Sequence, residues 1–453
     1  MAELIIIGGG LAGCEAAFQA AERGIDVVLY EMRPKVTSPA HISSRLAELV
    51  CSNSLGSRLP DRATGLLFAE LSRLNSLLVR IALETCVPSG SSLSVDRDLF
   101  SASVEQVILN HPKIRVIRKE IREIPDSPTI IASGPLTSPG LSDALIRFSG
   151  KNNLFFYDAV APIIYKESID FSVAFYASRF EAEKGHSSDY INCPFTKEEY
   201  DCFVDALISA ERTPLQNFEN EIHTGVNAGK GKFFEGCLPV EVIAARGHQS
   251  LCFGPMRPIG LMDSRTGQRP YAVLQLRQDN HSGSLYNMVG FQTNLTIPSQ
   301  KLVFRMVPGL AGAEFSRFGQ MHRNTYISSP SLLQTTSQTK TRSDLFLAGQ
   351  ITGIEGYLGN IASGLLAGIN AANFISGRKM LIFPSATMIG ALYRYITETP
   401  AERFQPIKAS FGILPELENR FVIRQERAAR HIQTAIRAMD DFLNENMDLI
   451  KTK

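Results

Sequence analysis

Tryptophan is absent from the 453 residues. Cysteine is sparse: seven residues, an odd number, with no C-x-x-C spacing, which argues against both a disulfide framework and a zinc site, so no metal is expected. Net charge is nearly absent, with 46 Lys and Arg against 45 Asp and Glu. Any contact with nucleic acid must therefore come from a local patch rather than from the field of the whole molecule. No apolar run reaches the length of a membrane span. The first strand-like run begins at Leu4, which leaves no room for a leader peptide and sets the expectation of a cytoplasmic protein without a membrane partner. Internal repeats and low-complexity tracts are missing too. What is present is the composition of a globular chain, 44% hydrophobic and 20% charged, long enough for two or more domains.

The richest stretch is the first thirty residues. Leu4-Ile5-Ile6-Ile7 has the character of a buried parallel strand. Gly8-Gly9-Gly10-Leu11-Ala12-Gly13 follows and fits G-x-G-x-x-G, then a small-residue helix to Arg23, a stop at Gly24, and a second strand, Val27-Val28-Leu29-Tyr30, ending at Glu31. Each part has its reason: Gly8 permits the tight turn, Gly10 leaves a pyrophosphate room to approach the backbone, and Gly13 lets helix and strand pack closely. The helix N-terminus offers unpaired N–H groups to phosphate, and Glu31 can accept from a ribose diol. A lone glycine motif is weak; strand, turn, helix, strand and acid in this order are strong.

Further on, residues 32–60 are loop-rich and contain Met32-Arg33-Pro34-Lys35 and Leu49-Val50-Cys51-Ser52-Asn53. Gly65 to Leu83 has the spacing of one amphipathic helix, and Leu99 to Asn110 of another. Thr129 to Gly134 is a buried strand ending in small residues. From about Asp158 to Arg323 short strands alternate with a polar middle, and Asp344–Gln350 resumes the first pattern before a small-residue helix from Asn360. The fold expected is α/β: a Rossmann-like FAD-binding domain of the two-dinucleotide type, with an inserted α+β domain and a helical C-terminal tail. The divisions taken are 1–185 and 316–385 for the FAD-binding domain, 186–315 for the insertion and 386–453 for the tail. In the tail, Arg420, Arg424, Arg427 and Arg430 share nearly one helical face, either a solvated side or a stripe that tracks phosphates.

The blocks IIIGGGLAGCEAA, EMRP, LVCSNSL, SVDRDLFS, GPLTSPGLS, FFEGCLPVE, FGPMRPIGL, YAVLQLRQDN, LYNMVGFQTNL, MHRNT and LAGQITGIEGYLGNIASGLLAGINAA run from residue 4 to about 373. In that order they resemble the folate- and flavin-dependent tRNA (uracil-5-)methyltransferases. A related flavoprotein group acting on the wobble uridine shares the fingerprint, but FFEGCLPVE and FGPMRPIGL favour the methyltransferases. The resemblance implies ribothymidine formation at uridine 54 of the T-arm of tRNA. 5,10-Methylenetetrahydrofolate would be the one-carbon donor, reduced FAD the hydride source and NADPH or NADH the reductant that recharges it. Uracil C5 is a poor nucleophile, and a thiolate adding at C6 would activate it.

Cys237 is the implied C6 nucleophile and Cys51 its partner near the flavin. Cys14 reads as helix packing, and Cys86, Cys193, Cys202 and Cys252 as core. The implied FAD site comprises Gly8, Gly9, Gly10, Leu11, Ala12, Gly13, Glu31, Arg33, Ser133, Gly134, Gly349 and Gln350, with Gly356, Tyr357, Ala362, Ser363 and Gly364 towards the isoalloxazine. Substrate contacts are expected at Arg257, which is equally well read as a salt-bridge residue, at His322, which could stack on a ring, and at Arg424 and Arg427. Glu241 could orient Cys237, although a surface carboxylate is slightly preferred. His281 sits in a loop where the family offers no reason for it. A monomer is favoured. Competing readings are the same chemistry on ribosomal RNA, a small-molecule FAD/NAD(P)H oxidoreductase, and a non-catalytic flavin-binding RNA protein.

Overall fold

The computed structural model describes residues 3–38, 40–150, 154–179, 188–214, 238–263, 265–417 and 423–450. Its first sheet has five parallel strands in the order Leu345–Leu347, Thr129–Ile131, Leu4–Ile7, Val27–Glu31 and Ile114–Arg118. Both faces are covered, so the strands are apolar throughout rather than alternating. The strand Leu345–Leu347 joins at one edge, and the nucleotide-binding unit is thus assembled from both ends of the chain. Its two small-residue helices, Leu11–Glu22 and Tyr357–Ile375, pack backbone to backbone. A Cβ at Gly364 would lie 2.2 Å from the Ala12 carbonyl oxygen.

The helix Tyr357–Ile375 corrects one expectation, because by length and composition it could cross a membrane. With 89% of its apolar window inside the protein, it is the central core helix instead. A second correction concerns residues 65–83, which form two helices, Ala63–Arg73 and Leu77–Glu84. Asn75 turns the chain between them with φ 54°. Ser76 caps the second helix, and the buried Glu15 carboxylate accepts from the Ser76 hydroxyl and from Leu77 and Leu78 N–H. Leu71, Leu74, Leu77 and Leu78 are all buried, so the apolar spacing runs across the break and hides it.

The second sheet is antiparallel, in the order Phe175–Tyr176, Tyr190–Phe195, Ala272–Gln278, Leu285–Met288, Ile163–Tyr165 and Phe315–Arg317. One face, with Ile191, Cys193, Phe195, Leu274, Leu276 and Met288, forms a second core against the helix Lys197–Ser209. The alternate residues Asn192, Gln275, Arg277 and Asn287 are polar and also buried. A two-stranded ribbon, Leu154–Ala159 against Met321–Tyr326, leads into and out of this unit. Two of its strands, Ile163–Tyr165 and Phe175–Tyr176, lie before the boundary expected at 186. They fall within the change of pattern that begins near Asp158, and their partners, such as Asn192 for Phe175, are set by pairing across the chain. The tail helix Arg424–Glu445 buries Ala435 and Met439 in the first core and ties to it through the Arg73–Asp440 ion pair at 3.0 Å.

Candidate active site

The carboxyl ends of the first sheet open into a cleft of about 960 Å³, the expected place for a ligand in a doubly wound sheet. Gly8, Gly10, Leu11, Ala12, Glu31, Arg33, Ser133, Gly134, Gly349, Gln350 and Tyr357 line it. Gly8 turns the chain at φ 109°, and a Cβ at Gly13 would fall 1.8 Å from the Gly8 carbonyl oxygen. A Cβ at Gly10 would meet no protein atom within 4 Å; it would project into space that a pyrophosphate could use. Gly9 is set back, its N–H donating to Glu31 Oε2 at 2.9 Å. Ala362, Ser363 and Gly364 are buried in the helix packing rather than lining the cleft; Ser363 Oγ accepts from Gly349 N at 2.6 Å. Gly356 is the N-cap of the core helix.

Burial alone would raise the Glu31 carboxyl, but the Arg33 guanidinium, Arg33 N–H and Gly9 N–H together hold it below its ordinary value. Arg33 is only 2% exposed and lies between Glu31 at 2.9 Å and Glu48 at 2.8 Å. The carboxylate facing the cleft is thus ionised and oriented, as a ribose acceptor must be. Among the lining residues that escaped the sequence reading, two carry polar groups that matter here, Glu48 and Asn360. Glu48 belongs to no motif, and Asn360 stands in a helix that reads as small-residue packing. Asn360 Nδ2 donates to Gly356 O, while its buried Oδ1 has no partner. An acceptor orphaned at a cleft wall fits a bound group that donates, such as a ribityl or ribose hydroxyl.

Cys51 is half-buried and follows Val50, which lines this cleft. Its N–H and that of Ser52 donate to the Tyr357 hydroxyl, at 2.9 and 3.2 Å, and Tyr357 itself lines the cleft. From the other side Arg97 donates to the carbonyls of Leu49 at 2.7 Å and Cys51 at 3.3 Å, and pairs with buried Asp279 of the second sheet at 2.9 Å. Burial would lower the Arg97 guanidinium, yet Asp279 carries it above its ordinary range. Asn53 donates to Val95 O and Gln278 O and accepts from Arg277 Nε at 3.0 Å. Three sequence blocks, around 51, 95 and 277, so meet at one turn. Electrostatic coupling reaches Cys51 from Arg97, Arg277 and Arg317.

Cys237 lies outside the described residues. The chain is described again at buried Leu238 and enters the helix Val240–Ala245. Glu241 is fully buried, not a surface carboxylate: it accepts from Thr293 Oγ1 at 2.9 Å and Asn294 N–H at 2.7 Å, and burial raises its pKa. Cys193 is core, its thiol pushed by burial to about 12, and Cys14 is buried with Sγ on Gly9 O. Cys86 and Cys202 are exposed, contrary to the core assignment, and Cys252 is half-buried. Arg257 is exposed and has no ion pair among the described residues; its charge instead helps lower the neighbouring Arg179. His322 lies in the ribbon opposite Asp158, Arg424 opens the tail helix, and Arg427 is exposed on it. His281 is exposed, with its N–H on Asp96 Oδ2 at 2.6 Å. A second cleft of about 2120 Å³ adjoins the first, sharing Met32 and Pro135 to Ser138 and reaching Thr293, Asn294 and Arg317.

A parallel sheet with a glycine turn, an acid closing the second strand and a C-terminal segment completing the cleft define a Rossmann-type flavoprotein fold, with an inserted α+β unit and a helical tail. The family model for glucose inhibited division protein A matches residues 3–379. A protein of Heliobacterium modesticaldum named methylenetetrahydrofolate–tRNA-(uracil-5-)-methyltransferase TrmFO is 51% identical over 443 residues, covering 98% of each chain. One of the same name from Bacillus cytotoxicus is 51% identical over 439 residues, covering 97% of this chain and 98% of that one. Among solved structures, Aquifex aeolicus GidA superposes with a TM-score of 0.68 at 16% identity, covering 99% of this chain and 78% of that one, a likeness of fold. The chain belongs to the glucose inhibited division protein A family, within the group that carries the TrmFO name.

Proposed function

We propose that this chain methylates C5 of uridine 54 in the T-arm of tRNA, with 5,10-methylenetetrahydrofolate as one-carbon donor. The observation that carries the reading is the junction at Cys51. The backbone of a cysteine that follows the cleft-lining Val50 is held by the hydroxyl of Tyr357, which lines the same cleft, in a chain half identical to relatives bearing that enzyme name. The cleft residues fit FAD: Gly8, Gly10 and the start of the helix Leu11–Glu22 at the pyrophosphate, Glu31 at the ribose, and Asn360 accepting from a hydroxyl. Bound FAD, reduced by NADPH or NADH, supplies the hydride that completes the methyl group.

The chain's own groups do the rest. Cys237 adds as thiolate to uracil C6, which makes C5 nucleophilic. Cys51 takes the C5 proton once the carbon unit is attached, in a position coupled to the Arg97, Arg277 and Arg317 guanidinium groups. The folate and the extruded uridine enter through the second cleft, with His322 stacking on a ring, while Arg257 and the tail arginines hold phosphate or carboxylate groups. Such a reaction belongs in the cytoplasm and is complete in one monomer.

The test is a methyl-transfer assay with undermodified tRNA transcript, NADPH and methylenetetrahydrofolate labelled in its one-carbon unit. Label in 5-methyluridine without S-adenosylmethionine is expected, lost in Cys237→Ala while the flavin spectrum persists. NADPH oxidation with no label in tRNA would overturn the reading and point to ribosomal RNA or a small substrate.

A further inference from the structure

The polar face of the second sheet looks towards the Cys51 turn and holds two groups the reaction above does not use. Arg277 is 8% exposed, yet its guanidinium has no carboxylate within 4 Å among the described residues. Among the described residues only Nε is hydrogen-bonded, to Asn53 Oδ1 at 3.0 Å. Its two terminal nitrogens therefore keep their donors unspent, and burial lowers the guanidinium although Tyr190 and Asp279 act to raise it. Asn287 sits directly across the strand pair from Arg277. It is 2% exposed, and its Nδ2 is buried without a partner among the described residues. A buried cation without a direct ion pair and a buried orphan amide are each costly in a folded protein. Facing each other across the strand pair, they are two donors with capacity left for an acceptor oxygen, and for a charged oxygen best of all.

We propose that Arg277 and Asn287 form the site that takes the O4 oxygen of the target uracil as it becomes an enolate. The inference rests on the methyltransferase reading. When the thiolate sulfur bonds to C6, the C5=C6 electron pair moves to C5–C4 and negative charge gathers on O4; no proton or further electron is exchanged in that step. C4 adjoins C5, so a group acting on the C5 proton and a donor to O4 must be neighbours. Arg277 meets this condition: its Nε holds Asn53, two residues from Cys51, and its charge couples to Cys51. The site binds weakly to a neutral carbonyl and strongly to an oxyanion, so it acts on rate more than on affinity.

The experiment compares wild type, Arg277→Gln, Arg277→Lys and Asn287→Leu in the labelled-folate assay, with FAD absorbance, NADPH oxidation, tRNA affinity and melting temperature measured alongside. Arg277→Gln should lose about 10²- to 10³-fold in kcat with tRNA affinity unchanged, and Arg277→Lys should recover part of it. Asn287→Leu removes an orphan donor, so it should lose about tenfold in kcat while melting no lower than wild type. A residue that merely braced the Cys51 turn would not give that pairing of slower turnover with undiminished stability. Should Arg277→Gln shed its FAD, Asn287→Leu decides alone. Turnover by wild type with Asn287→Leu within twofold of it overturns the inference and leaves the methyltransferase reading standing. No tRNA methylation by wild type removes both.

Discussion

The dinucleotide cleft and the seam at Cys51 are built in opposite ways. The cleft is mostly backbone. Its core is one contiguous stretch, residues 4 to 31, in which glycines make room and main-chain N–H groups orient the Glu31 carboxylate. The seam is mostly side chain. Cys51 is held by Tyr357, 306 residues later, and by Arg97, which reaches across to Asp279 of another sheet. A site made of backbone fails when atoms are added; a site made of paired side chains fails when one partner is taken away.

The largest effect is therefore expected in the seam. Arg97→Met leaves Asp279 buried and unpaired, which should cost about 3–5 kcal/mol in denaturant unfolding. Adding Asp279→Leu should return most of that stability. Methyl transfer should stay about 10²-fold down in the double variant, because the carbonyls of Leu49 and Cys51 have lost their donor. If the double variant regains full turnover, the pair serves the fold alone and the contrast between the regions collapses.

The cleft should break the other way. Gly13→Ala drives a Cβ into the Gly8 carbonyl and should cost about 1–3 kcal/mol, read as a lower melting temperature of the FAD-free protein. Gly10→Ala meets nothing, so the FAD-free protein should melt as wild type while the dissociation constant for FAD rises at least about tenfold. Equal FAD affinity in Gly10→Ala would mean that the pyrophosphate does not pass that residue.

This difference in construction also decides what could be read from the sequence. Gly8, Gly10, Gly13 and Glu31 were legible because the physics that requires them is local: turn, helix and strand follow one another, and spacing alone fixes their neighbours. Arg33 and Glu48, and Asn53 and Arg277, meet only after folding. No spacing rule marks Glu48, and Arg277 occupies an unremarkable place in an alternating strand until its lack of a direct ion pair among the described residues is seen. The helix break at Asn75 was masked because leucines continue on both sides of it. The insertion boundary was misplaced because strands such as Phe175–Tyr176 take their identity from distant partners. Resemblance, rather than periodicity, was what singled out Cys51.

Two buried carboxylates sharpen the contrast through pH. Burial pushes Glu70 up to about 8, although both its oxygens accept helix N–H groups, from Met388 and Ile389. The folded protein holds that proton more tightly than the unfolded chain does. Its stabilisation is complete below the ordinary carboxyl value, near 4.5, and is lost as pH rises towards 8. Glu31 is lowered instead, so its contribution is present above the ordinary range and is lost as pH falls through its lowered pKa. Stability should decline by about 1–3 kcal/mol between pH 5 and 8 through Glu70, and Glu70→Gln should flatten that slope while leaving the acid limb unchanged. An identical slope in the variant would show that Glu70 is ionised in the folded protein.

The smallest effect belongs to a third kind of surface, neither backbone cradle nor buried pair. The tail helix turns Ala428, His431, Ala435 and Met439 inward, while Arg427 and Arg430 stand exposed. Charges on such a face are hydrated before and after binding, so each acts through the potential it adds rather than through a fitted contact. Reversing Arg424 and Arg427 to Glu should weaken tRNA binding by about three- to tenfold at moderate salt and lessen its salt dependence, with NADPH oxidation in the absence of RNA unaltered. Unchanged affinity across a salt titration would return the stripe to a solvated helix side. The phosphates would then have to be held by other cations, such as Arg257, which is exposed without an ion-pair partner among the described residues.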